Sequence, residues 1–344
     1  MKTARVLAVV ACIIMLFTSL GFGQTAKIEK PKLVLAVGGQ QGLIYLPLTV
    51  GARLGYFKEA GLDIDIENLA GGGQALKALV GGSADVVSGF YDHTIQMQAQ
   101  GKKIKAVVMQ QRYPGLVLLV SKAAFDQGVK KVSDLKEKKV GVTALGSSSH
   151  FFVNYLVASA SLTPEDYSAI AVGLGATAVA AIKNKQIEAL SALEPTVSTL
   201  QAAGDIGTIL ADTRTTAGTK RVFGGSYPSA CIYFAEDFIK QNPNTVQAMV
   251  NAMIKTLRWM QSHKIEEIVA LMPEDFYQGS KEVYIQAVKN MIDSYSVDGR
   301  ILPADAKNVV NVMNFDPAVK KANIDVSETY DMRFVETYWK AQKK

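Results

Sequence analysis

Residues 71–74 read Gly-Gly-Gly-Gln and open a stretch in which Leu76, Leu79 and Val80 recur at helical spacing beside Ala75 and Ala78. Glycines ahead of a helix leave its first backbone N–H groups uncovered, and the helix dipole adds partial positive charge there. A small anionic or polar group can dock on such an end. Gly72 and Gly73 are therefore candidate ligand contacts through their backbone, and Gln74 through its side-chain amide; a plain tight turn is the bland alternative. A second stretch, 146–150, reads Gly-Ser-Ser-Ser-His. One serine of Ser147, Ser148 and Ser149 is needed as a helix N-cap. The others, with His150, can meet an oxygen of a small oxyanion.

Other positions offer chemistry of the same kind. Gly39, Gln40 and Gln41 sit in a glycine-bearing loop after the apolar run 32–37. Tyr91 and His93 follow the run 84–88, and Asp92 between them reads as the N-cap of the next helix. Thr177 follows another glycine loop, 173–175. Arg112 could grip an acid group with two parallel N–H donors, or close a structural salt bridge with equal ease. Glu194 has the wrong sign for a simple anion; it either caps a backbone group or receives a ligand amine. Tyr227, with Tyr45, Phe90, Tyr91 and Tyr113, could pack an organic body, although aromatics so spaced are most often core.

Motifs of catalysis do not appear. Residues 146–150 lack the closing glycine of a nucleophile elbow. The three histidines, His93, His150 and His263, include no pair at metal-ligand spacing. A phosphate-binding loop is likewise missing, so neither metal nor cofactor is expected. Across 344 residues, 37 Lys and Arg against 31 Asp and Glu give a net charge of +6, and the scattered excess gives nucleic-acid binding little support. Lys2 and Arg5 precede an apolar run, 6–20, and small residues at 21 and 23. This predicts a cleavable secretory leader over 1–23, since a span takes about 18 or more apolar residues. Cys12 lies too early in that run for a lipoprotein box. Removing the leader lowers the charge to +4 and leaves one cysteine, Cys231, so the fold must be held by its core rather than a disulfide. Cys231 itself reads as buried and inert.

Runs 32–37, 62–68, 84–88 and 104–110 read as strands separated by helices, which implies a largely parallel sheet. Residues 112–115 look like a hinge, because 116–121 continues as a strand without an intervening helix. The β/α rhythm resumes over 132–193, with a strand at 206–211 and a polar loop at 212–225. Tyr227-Pro228 opens a second crossing before the strand 230–234. Helices near 244–262, 265–271, 280–295 and 304–313 follow, as cover for the first unit. A shift of 103 places Ala178, Val179, Ala181, Ile182, Glu188 and Ser191 opposite Ala75, Leu76, Ala78, Leu79, Asp85 and Ser88. Two similar α/β lobes are expected: 30–113 with 226–344, and 114–225. Ligands of open α/β sheets sit beyond the C-terminal ends of the strands, where the glycine and serine loops lie.

The succession Leu54-Gly55-Tyr56-Phe57-Lys58-Glu59-Ala60-Gly61-Leu62-Asp63, the loop and helix 71–79, and Gly82-Ser83-Ala84-Asp85-Val86 resemble a known family. So do Leu193-Glu194-Pro195 and Asp298-Gly299-Arg300-Ile301-Leu302. The chain is similar to periplasmic substrate-binding proteins of the nitrate/sulfonate/taurine branch of ABC importers. That resemblance implies the type II periplasmic-binding-protein fold: two α/β lobes, each a mainly parallel sheet flanked by helices, joined by two crossing strands. It also implies a monomeric, non-enzymatic periplasmic receptor that closes on one small anionic or zwitterionic molecule. Its partner would be an ABC permease in the inner membrane, served by a separate ATPase subunit. The same fold resembles the fungal enzyme that makes the thiamine pyrimidine, so a pyrimidine-precursor binder or related enzyme is the alternative. That enzyme chemistry needs a pyridoxal phosphate lysine, a sacrificial histidine and a cysteine-rich iron site, and the single mature cysteine argues against it. A signalling receptor is a third reading.

Overall fold

A computed structural model describes residues 27–343; the expected leader, 1–23, lies outside them. The strands, in chain order, are β1 (Lys32–Gly38), β2 (Asp63–Leu69), β3 (Val86–Phe90), β4 (Ile104–Met109), β5 (Val117–Ser121), β6 (Lys139–Val142), β7 (Ser168–Ala171), β8 (Ala189–Ala192), β9 (Ile206–Asp212) and β10 (Ala230–Ala235). They form two five-stranded sheets, ordered β2-β1-β3-β10-β4 and β7-β6-β8-β5-β9. In the first, β1 runs parallel to β2 and β3 while β10 is antiparallel to β3 and β4. In the second, β6 is parallel to β7 and β8 while β5 is antiparallel to β8 and β9. The two sheets thus share one plan. Each is mainly parallel, and each takes its reversed strand from the chain as it crosses from the other lobe, entering from the opposite end.

The crossings are tied to each other. Gln110 and Gln111 donate backbone N–H groups to Ala230 O, and Ser229 N donates to Gln111 O. On the far side Thr213 N donates to Leu116 O, and Gly115 N to Thr213 O.

The helices that matter for the site are α1 (Leu46–Arg53), α2 (Gly72–Gly81), α3 (Asp92–Ala99), α4 (Ser148–Ser159), α5 (Ala176–Lys183), α6 (Thr196–Ala202), α7 (Thr216–Phe223), α8 (Pro243–Ser262), α9 (Lys281–Met291) and α10 (Pro303–Met313). The 103-residue echo corresponds to α2 with α5 and β3 with β8. Leu33, Leu35, Ala36 and Val37 of β1 are wholly buried, as a continuous apolar run in a strand covered on both faces should be. Pro47 stands in the first turn of α1, where its missing N–H costs nothing. The loop expected at 212–225 contains a helix instead. Thr215 caps α7 by accepting from Gly218 N, left-handed Gly224 ends it, and Phe223 is its apolar anchor. Its glycines and few apolar residues hid it. The helix expected over 280–295 stops at Met291, and a single 3-10 turn, Ile292–Ser294, follows.

The C-terminal helices close over lobe one, where Leu257, Met260, Ile268 and Val288 share an apolar cluster with Leu43, Leu46 and Val50 of the first lobe. They reach further than expected, because Asn290 of α9 donates to Glu194 Oε1 of the second lobe at 3.1 Å. Cys231 is buried in β10 as a free thiol.

Candidate functional site

Loops at the C-terminal ends of the parallel strands meet between the lobes. Within lobe one, the end of β1 runs against the start of α2: a Cβ on Gly38 would lie 2.1 Å from Gly72 N. The N-terminus of α2 has no side-chain cap, and its preceding Gly71 is extended. Across the boundary, a Cβ on Gly71 would meet the Ala144 Cβ at 2.7 Å, and one on Gly73 would meet Leu145 O at 2.8 Å. The glycine-led and serine-led turns therefore face and touch one another. A second meeting mirrors it, with Leu174 packed on Gly39 and the Gln41 amide donating to Leu174 O at 3.1 Å. The loop after β1 meets the loop after β7, and the loop after β2 meets the loop after β6, as a pseudo-twofold relation between the lobes requires.

These loops enclose a tight cavity of about 10 Å³, room for little more than one water, lined by Gly38, Tyr45, Gly72, Phe90, His93, Leu116, Thr143, Ser147, Ser148, Ser149, Leu174 and Leu193. No Lys, Arg, Asp or Glu is in that set. A neighbouring cavity, also of about 10 Å³, shares Leu116 and Ser148 and is otherwise walled by Asp92, Phe151, Phe152, Tyr155, Phe223, Tyr227, Val312, Met313 and Phe315.

A buried polar chain lies between the two spaces. Ser148 Oγ, from lobe two, donates to Asp92 Oδ1 at 2.6 Å, and Tyr227 Oη donates to Asp92 Oδ2 at 3.0 Å. His93 Nε2 is 3.4 Å from the same Ser148 Oγ, and His93 Nδ1 is 2.9 Å from Tyr233 Oη. Burial raises the Asp92 carboxyl above its ordinary range, against the downward pull of His93 and the two hydroxyl donors. Burial also lowers the His93 imidazole, with Asp92 pulling the other way. The phenols of Tyr227 and Tyr233 are pushed well up by burial and stay protonated.

The sequence-predicted residues divide between this space and other places. Gly72, His93, Ser147, Ser148 and Ser149 line it. Ser147 stands at the N-cap position of α4 but makes no cap bond; its hydroxyl donates to Ala144 O at 2.7 Å. Ser149 Oγ accepts from Thr143 N at 2.9 Å, so that hydroxyl ties the loop to β6. His150 Nδ1 accepts from Gly146 N, within the same turn. Gly39, Gly73 and Gln41 are used in contact between the lobes. Gln40 bonds within lobe one, its N–H to Asn68 Oδ1 and its amide to Thr49 Oγ1. Gln74 is exposed and accepts from Ala70 N. Thr177 is exposed and donates to Leu174 O.

Four readings need correction. Tyr91 is wholly buried and bonds Thr329 Oγ1 behind the sheet, away from the space. Asp92 is not an N-cap; it is the first residue of α3, and its carboxylate spans to Ser148 and Tyr227 because both donors converge there. Among the described residues Arg112 forms neither an acid clamp between the loops nor a salt bridge. It is exposed in a groove at the hinge and donates to Asp293 O. Glu194 faces no ligand space: Ser198 N, Ser198 Oγ, Arg214 Nη1 and Asn290 Nδ2 occupy its oxygens. Of the two alternatives the structure takes the backbone one: Glu194 satisfies Ser198 N in the first turn of α6, and the ligand-amine role falls. Tyr227 stacks on Phe223, 4.3 Å between centroids, and walls the neighbouring space.

Sequence reasoning missed Tyr233, Thr143, Leu116, Leu174 and Leu193. The apolar residues among them carry no signal beyond core. Tyr233 left a faint one, a phenol in an otherwise apolar central strand. Among the described residues, no group of three His, Cys, Asp or Glu side chains could hold a metal ion, and no helix is long and apolar enough to cross a membrane.

Comparison with known proteins places this architecture. The chain is 39% identical to a solved protein of Bordetella bronchiseptica RB50, with a TM-score of 0.89 over 92% of this chain and 100% of that one. The SsuA protein of Xanthomonas axonopodis pv. citri, an alkanesulfonate-binding protein bound to MOPS, matches at a TM-score of 0.69 and 16% identity over 89% and 100% of the two chains. The periplasmic nitrate-binding protein NrtA of Synechocystis PCC 6803 matches at 0.70 and 16%, over 91% and 89%. By sequence, YtlA of Bacillus subtilis is 22% identical over 84% of this chain and 83% of its own length. A 4-amino-5-hydroxymethyl-2-methylpyrimidine phosphate synthase of Saccharomyces cerevisiae is 24% identical over only 42% and 41%. The family described as NMT1/THI5 like matches residues 45–266, well over half of the sequence. With its two-lobed fold and paired loops, the chain belongs to the NMT1/THI5-like family.

Proposed function

We propose that this protein is the periplasmic solute-binding component of an ABC importer, capturing a small organic anion by closure of its lobes and delivering it to a membrane permease. The observation that carries this reading is the meeting of the uncapped α2 N-terminus with the α4 turn around a space lined by His93 and Ser148. Both sets of donors reach one solute only when the lobes are together, so a ligand that binds both favours the closed form by its differential affinity. The likeness to SsuA and NrtA supports the fold of this reading, and YtlA is named as a candidate binding protein.

The lining favours an oxygen-bearing acid over an amine. No carboxylate lines the space, and Glu194, which motivated a zwitterion, is fully engaged elsewhere. No lysine stands there to bind a carbonyl cofactor, which weighs against the pyrimidine-synthase alternative. Calorimetry and small-angle scattering against sulfonates, nitrate, carboxylates and pyrimidines test the reading. The expected result is binding of an acid with a reduced radius of gyration; binding without compaction would sink the closure mechanism, and turnover of any probe would sink the receptor itself.

A further inference from the structure

We propose that Tyr233 is a positioning residue: it fixes the tautomer of His93, so that Nε2–H faces the space between the lobes and recognises the ligand through an oxygen acceptor. The recognition half of this rests on the binding reading above; the tautomer half does not.

Tyr233 lies on β10, wholly buried, packed so closely over Gly89 that a Cβ there would sit 3.0 Å from its Oη. Its phenol keeps its proton, and a buried O–H needs an acceptor. Among the described residues, the hydrogen-bond partner of Tyr233 Oη is His93 Nδ1, at 2.9 Å. If Nδ1 carried the hydrogen, the phenol proton would be stranded in the core. With Tyr233 donating, Nδ1 presents its lone pair and the neutral ring holds its hydrogen on Nε2.

The other end of the ring agrees. Ser148 Oγ gives its own hydrogen to Asp92 Oδ1 at 2.6 Å, so it meets His93 Nε2 with a lone pair. Tyr227 occupies the second Asp92 oxygen. Every proton then has one place, in the order Tyr233 to His93 to Ser148 to Asp92. The Nε2 to Oγ distance of 3.4 Å is long for a hydrogen bond, which leaves this donor weakly engaged. Nε2 also lies beside the first turn of α2, 3.9 Å from where a Gly72 Cβ would stand. A ligand oxygen there would meet the imidazole N–H next to the uncapped helix end.

The test uses the full chain labelled with ¹⁵N-histidine, the His93 signals being assigned by their loss in His93→Gln. Wild type is expected to give the Nε2–H signature at neutral pH, and Tyr233→Phe a mixture of tautomers. An Nδ1–H or imidazolium signature in wild type, or an unchanged single tautomer in Tyr233→Phe, overturns the assignment. Calorimetry with ethanesulfonate, nitrate and acetate supplies the recognition readout. For any probe that binds, Tyr233→Phe and His93→Phe are expected to weaken it about tenfold, and His93→Gln, which keeps an amide donor, only about threefold. Equal loss in His93→Gln and His93→Phe overturns the donor role. If no probe binds while the Nε2–H signature is present, the receptor reading and the recognition claim fall and the tautomer assignment stands.

Discussion

Ser148 reaches Asp92 across the boundary between the lobes, and this one hydroxyl decides how a fully buried carboxylate is satisfied. Ser148→Ala leaves Asp92 Oδ1 without that donor in the closed form, a loss of about 1–3 kcal/mol. Ligand affinity should fall roughly ten- to hundredfold by calorimetry, because the loss is specific to closure. Arg112→Ala, in contrast, removes a side chain that faces the hinge groove and should leave affinity within about twofold; a larger drop would return Arg112 to the site. A pH effect belongs to the same group of residues. His93 is held below its ordinary 6.5, so its contribution to stability is present above 6.5 and is lost as pH falls through the folded value. Asp92, raised above 3.8, acts in the opposite sense: its contribution is present below 3.8 and lost as pH rises through its folded value. In denaturant melts the His93 share is a loss of stability as pH drops below 6.5, opposed by Asp92, so His93→Gln should make stability fall less, or rise more, as pH is lowered from about 7 toward 5.

At the scale of elements, two glycines of similar appearance have different work. Gly38 abuts Gly72 N inside lobe one, so Gly38→Ala forces β1 and α2 apart and should cost about 1–3 kcal/mol or more in thermal unfolding. Gly73 abuts Leu145 O and the Gly146–Ser147 link of the other lobe. Gly73→Ala should melt near wild type yet bind at least about tenfold more weakly, with scattering that stays expanded when ligand is added. Equal melting temperatures for both variants would mean the lobes are not separable in this way. The helices themselves were legible where apolar periodicity was strong, as in α1, α2 and α8. Helix α7 was not, because its helicity rests on the Thr215 cap and Phe223 rather than on a stripe. Edge strand β7 has no fully buried residue, and so little pattern to read.

For the whole molecule, the repeated plan explains why one site lies between two units. Each sheet borrows its reversed strand from the chain as it crosses, so the lobes are joined by two crossings that are hydrogen-bonded to each other near 110–116 and 213–229. Contacts between the lobes are mostly polar or glycine-mediated at the loops, with aromatic packing of Phe151 and Tyr155 against Phe315 behind them. Surfaces of that kind separate at modest cost. The Asn290–Glu194 contact adds a second clasp, from α9 of the C-terminal cover to α6.

The alternation of strand and helix, the 103-residue echo and the two crossing points were written into the sequence, because burial imposes a local period that any stretch of about a dozen residues displays. The loops that bear glycine and serine were visible for the same reason: backbone freedom and helix starts are local properties. Which polar groups meet in those loops was decided by tertiary structure alone. Asp92 finds Ser148 at 56 residues' separation and Tyr227 at 135, and His93 finds Tyr233 at 140. No spacing rule reaches that far, since partners so distant are chosen by the register of two sheets and the way the lobes close, and not by anything their neighbours in sequence dictate.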